Sequence, residues 1–81
     1  MNVNVQFFSR LRELAGTSEF ELEVPDKTTV TELLRILYAR VPALQQWDKS
    51  ILVAVGLEFV NREHVLQSND RISIMPPVQG G

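Results

Sequence analysis

Only one stretch of this sequence carries the marks of a long helix, and that restricts what the remaining residues can build. Thr29-Val30-Thr31-Glu32 is a capping-box pattern, in which the Thr29 hydroxyl accepts from the Glu32 amide and the Glu32 side chain reaches back. Val30, Leu33, Leu34, Leu37 and Val41 then fall on one helical stripe. Pro42 ends it, because a residue before proline is pushed out of helical space. A lone amphipathic helix must bury its stripe against another layer, so the other apolar residues have to supply a sheet.

They are spaced to do so. Val3, Val5 and Phe7 alternate with Asn2, Asn4 and Gln6, which predicts a half-buried strand. Phe8 breaks that alternation and puts an aromatic on the polar face. Ser9 is placed to cap a short helix from Arg10 to Ala15 carrying Leu11 and Leu14, and Gly16 suits its end. Phe20, Leu22 and Val24 alternate with Glu19, Glu21 and Glu23 as a second strand, an acidic face suited to an edge. Pro25-Asp26 stops it. Ala43 to Ser50 reads as a connection, with Trp47 packed at the core edge. Ile51 to Val55 is apolar on both faces, as a central strand is. Gly56 signals a turn, Glu58-Phe59-Val60 a short strand, Leu66 a core plug, and Ser68-Asn69-Asp70 another turn. Arg71 to Met75 alternates again, with Ile72 and Ile74 on one side. Pro76-Pro77 removes two backbone donors, so sheet pairing should end there. The expected fold is α+β: a mixed sheet covered on one face by one main helix, which is a β-grasp arrangement. Residues 1–75 form the domain, and residues 76–81 a stem and flexible Gly-Gly tail.

Eighty-one residues make one domain. No cysteine is present, which removes disulfides, a thiolate metal site and a side-chain persulfide carrier. A single histidine, His64, placed in a polar loop-like stretch, argues against a histidine metal site or a triad. No paired carboxylates, phosphate loop or nucleophile–base set appears, so no metal and no permanently bound cofactor is expected. A net charge of −2 argues against a nucleic-acid partner. No apolar run approaches the length of a membrane span, and the first residues lack a secretion signal, so a cytoplasmic location is expected.

The one unusual chemical feature is Gly80-Gly81. A terminal carboxylate is ionised at neutral pH and can attack the α-phosphate of ATP to give an acyl-adenylate open to a sulfur, nitrogen or oxygen nucleophile. Glycine leaves the acyl carbon unhindered and gives the backbone freedom to pass a narrow channel. Pro76-Pro77 makes a stiff stem for such a tip. Terminal glycines also occur in functionless tails, so the residues alone leave a reactive tip and an inert one evenly matched.

The opening Val5-Gln6-Phe7-Phe8-Ser9-Arg10-Leu11-Arg12-Glu13-Leu14-Ala15-Gly16 and the close Met75-Pro76-Pro77-Val78-Gln79-Gly80-Gly81 resemble the molybdopterin synthase small-subunit family, as does Val53-Ala54-Val55 before a short hairpin. The resemblance spans essentially the whole chain. It implies a ubiquitin-like β-grasp fold and a sulfur carrier that is not itself catalytic. Gly81 would be adenylated, with ATP consumed, by a ubiquitin-activating-type adenylyltransferase and then thiocarboxylated. The tail, Pro76, Pro77, Val78, Gln79 and Gly80, would enter the synthase large subunit, where the catalytic residues lie, and sulfur would pass to cyclic pyranopterin monophosphate in molybdenum cofactor biosynthesis. A heterotetramer of two small and two large subunits is implied. Phe8, Phe59 and Met75 would form an apolar docking patch at the root of the tail, with Arg12 as a further contact. Gly56, Met75 and Asn69-Asp70-Arg71 depart from the family pattern away from the tip. Rival readings are a carrier for thiamine or tRNA thiolation, a ubiquitin-like protein modifier, and a plain β-grasp interaction module.

Overall fold

The computed structural model of the chain describes residues 1–77. Five strands, β1 (Asn2–Phe7), β2 (Glu19–Glu23), β3 (Leu52–Val55), β4 (Glu58–Phe59) and β5 (Arg71–Met75), form one sheet. Two helices, α1 (Arg10–Ala15) and α2 (Val30–Arg40), and a 3₁₀ segment, Pro42–Ser50, are the other elements of the described residues. The sheet order is β2-β1-β5-β3-β4. β1 and β5 run parallel, and every other pairing is antiparallel. This is the expected β-grasp.

The helix stripe sets the core. Val30, Leu33, Leu34 and Leu37 are buried against Val3, Val5, Ile72 and Ile74 of the two middle strands. Each fully buried leucine contributes roughly 1.5–3 kcal/mol relative to an exposed one. The capping box forms as read, with the Thr29 hydroxyl accepting from the Glu32 amide and the Thr29 amide donating to Glu32 Oε1 at 2.9 Å. Backbone and side-chain hydrogen bonds from Thr29 hold the Glu32 carboxyl below its usual pKa. The 61–66 loop completes the cap: the Val30 and Thr31 amides donate to the His64 and Arg62 carbonyls, each at 3.0 Å. Leu66 plugs the core, and its amide donates to Thr28 O. The Glu19, Glu21 and Glu23 face lies on the edge strand β2.

Three local expectations are corrected. The central strand is β5, while Ile51–Val55 yields β3, one place from the edge. Its second apolar face is not burial on both sides, because Leu52 stands exposed. Ser9 makes no side-chain cap to α1; its φ of +53° instead turns the chain out of β1. The presumed connection Ala43–Ser50 is a 3₁₀ turn sequence, pinned by Leu44, which is fully buried, and by Trp47 three residues on, where 3₁₀ side chains eclipse.

Candidate functional site

The pleat of the sheet puts alternate residues on the face opposite α2. Across the strands, Gln6 pairs with Ser73, Ser73 with Ala54, and Ala54 with Phe59, so these four form one row of that outer face. One step toward the end of β5, Met75 pairs with Leu52. Phe8 follows the Phe7–Ile74 pair and completes this second row, its amide donating to Ile74 O at 3.2 Å. Phe59 is 68% exposed, Phe8 42% and Leu52 38%. The structure therefore places Phe8, Phe59 and Met75 on one solvent-facing side of the sheet. Sequence reading missed Leu52, which sits between the last two. Its signal was present in the two-sided apolar character of Ile51–Val55.

The end of β5 is where the tail begins. Pro76 and Pro77 cannot donate to a ladder, and Met75–Leu52 is the last pair of β5 with β3 among the described residues. The two prolines form a wall of an open groove of about 720 Å³, lined also by Phe8, Arg10, Trp47 and Met75. Ser9 completes the lining, and its positive-φ backbone is followed at once by amides of the next turn, Leu11 N to Phe8 O and Arg12 N to Ser9 O, both 3.1 Å. Arg12 is exposed on α1 and does not line the groove; Arg10 does. Val78, Gln79, Gly80 and Gly81 lie outside the described residues.

Trp47 reaches the groove from the 3₁₀ segment, and its neighbour Asp48 fixes that segment to the helix layer. Asp48 Oδ1 accepts from the Tyr38 hydroxyl of α2 and from Arg62 Nη1 at 3.0 Å. Arg62 Nη2 also donates to the Asp48 carbonyl. The Tyr38 hydrogen bond and then the Arg62 guanidinium hold the Asp48 carboxyl below the usual carboxylate range. Burial first, and the Asp48 carboxylate second, push the Tyr38 phenol well above its ordinary value. These partners are 10 and 14 residues apart from Asp48 in sequence, and no local pattern signals them.

The described lining of the groove is mostly apolar. No histidine or carboxylate lines it among the described residues. No group of three His, Asp or Glu side chains there is placed to hold a metal ion. No helix among these residues is long and apolar enough to cross a membrane.

The chain is similar to known proteins along its whole length. The chain is 34% identical over 83 residues to the molybdopterin synthase sulfur carrier subunit of Caenorhabditis briggsae, covering 100% of this chain and 99% of that protein. Among solved structures, it resembles small archaeal modifier protein 1 from Methanosarcina acetivorans, with 31% identity, a TM-score of 0.81, and coverage of 99% and 96% of the two chains. It is also similar to one chain in the solved complex of subunits 1 and 2 of molybdopterin-converting factor from Helicobacter pylori, with 27% identity, a TM-score of 0.71 and full coverage of this chain and of that one. Residues 5–81 match the ThiS family, and the chain belongs to that family.

Proposed function

We propose that this chain is the sulfur carrier subunit of molybdopterin synthase, and that its own contribution is an acyl group and a docking surface. The Gly81 carboxylate attacks the α-phosphorus of ATP on a ubiquitin-activating-type enzyme, releasing pyrophosphate. A sulfur nucleophile then displaces AMP, leaving a terminal thiocarboxylate. The loaded tail enters the synthase large subunit and yields its sulfur to cyclic pyranopterin monophosphate, with water restoring the carboxylate. The observation that carries this reading is the position of Pro76-Pro77. The middle strand of the sheet delivers the chain to the rim of an exposed apolar face, at a groove with no catalytic side chain of its own. Adenylation, sulfur transfer and the precursor pocket then belong to partners, which seat against Phe8, Leu52, Phe59 and Met75. The lack of cysteine agrees, since labile sulfur has no other place to reside.

Complementation tests this. In a strain lacking its own carrier, the full chain should restore molybdoenzyme activity. A chain without Gly80 and Gly81 should not, although its melting temperature should hardly change. Restoration by the truncated chain contradicts the proposal. A second reading is supported by the likeness to the Methanosarcina acetivorans modifier protein: Gly81 joined to lysine side chains of other proteins. Lysine-linked adducts of the chain in extract, absent with the truncated form, are the result that favours it.

A further inference from the structure

We infer that the synthase large subunit, which receives the loaded tail, also covers the Trp47 groove, seating an apolar side chain between Phe8 and Trp47 and a carboxylate against Arg10. This rests on the proposed carrier function and extends its docking surface beyond the sheet face. The argument is one of reach. Four residues follow Pro77, and a fully extended chain spans at most about 3.3–3.6 Å per residue, so an enzyme that acts on the last residue must come within about 14 Å of the groove wall. An active site that encloses the last glycine must therefore bring protein surface over Pro77. Pro77 and Trp47 line the same groove.

The groove is suited to being covered. Its side chains are apolar apart from Ser9 and Arg10, and Arg10 makes no ion pair among the described residues. A partner that closes over it must offer Arg10 an acidic group or leave a desolvated cation. Trp47 is half-buried from below by the core, and its segment is locked by Tyr38, Asp48 and Arg62, so little side-chain freedom remains to be lost on binding. Centrally placed tryptophan and arginine side chains of this kind are the residues that most often dominate protein interfaces.

Trp47 is the only tryptophan, so it reports its own surroundings. The full chain, labelled with 5-fluorotryptophan, is titrated with the unlabelled molybdopterin synthase large subunit of the same organism and followed by fluorine NMR. Calorimetry gives the affinity of the unlabelled wild type and of Arg10→Glu, a change at an exposed side chain. The single fluorine resonance is expected to move on saturation, and Arg10→Glu to weaken binding about tenfold or more with an unchanged melting temperature. A resonance that stays in place at saturation, or an Arg10→Glu affinity equal to wild type, overturns the inference while leaving the carrier reading intact. No binding by the wild-type chain overturns that reading, and the inference with it.

Discussion

Asp48→Asn probes the lock behind Trp47. In the wild type, Asp48 accepts from the Tyr38 hydroxyl and from Arg62, and thereby joins the 3₁₀ segment to α2 and to the 61–66 loop. The Arg62 and Asp48 side chains are 37% and 42% exposed, so solvent screens the pair and its Coulombic part contributes at most about 1 kcal/mol. Two hydrogen bonds to a charged acceptor add to it, and an asparagine oxygen keeps part of both. The expected loss is about 1–2 kcal/mol, which for a domain of this size lowers the melting temperature by roughly 5–15 °C. The pH dependence has a definite sign. The Asp48 carboxyl is held below its unfolded value, so its contribution is fully present above about pH 4 and is lost as pH falls from there through the folded pKa. Thermal denaturation followed by circular dichroism should show a constant gap between wild type and Asp48→Asn from about pH 5 to 8, closing as the pH drops below about 4. Equal melting temperatures near neutrality, or a gap that stays constant in acid, refute the reasoning.

Three further outcomes follow from the geometry. Gly16 ends α1 with φ of +75°, and nothing lies within 4 Å of the place a Cβ would occupy. Gly16→Ala should thus cost about 1 kcal/mol from backbone strain alone, read as a lower urea midpoint. Leu37 is fully buried under the sheet, and Leu37→Ala should lose about 2–5 kcal/mol in the same assay. That is a large part of the roughly 4–12 kcal/mol expected for a chain of this length. Phe59→Ser should change stability by under about 0.5 kcal/mol yet weaken large-subunit binding about tenfold or more by calorimetry.

What could be read from the sequence was what depends on near neighbours. The capping box at Thr29–Glu32 and the stripe through Leu37 are local patterns, and both are present as read. The alternation in β1 and β5 was clear because each buries one face only. Ile51–Val55 misled because apolar residues on both faces suggest burial on both, whereas Leu52 is apolar on an open surface. Its place beside Met75 depends on strand register, set by residues more than twenty positions apart. Ser9 has the right side chain for a cap but a backbone angle that points it elsewhere. The exposed apolar face was partly legible, since Phe8 visibly interrupts a polar alternation. In the sequence Trp47 reads as packing, and its second surface toward Pro77 appears only once the 3₁₀ segment is folded against the end of the sheet.

The most direct measurement is an intact mass of the purified chain after incubation with ATP, its activating enzyme and a sulfur donor. The carrier account predicts replacement of one oxygen by sulfur, localised by fragmentation to Gly81 and absent when ATP is omitted. An unchanged mass with an activating enzyme that demonstrably loads another carrier, or sulfur found anywhere but on the last residue, contradicts it.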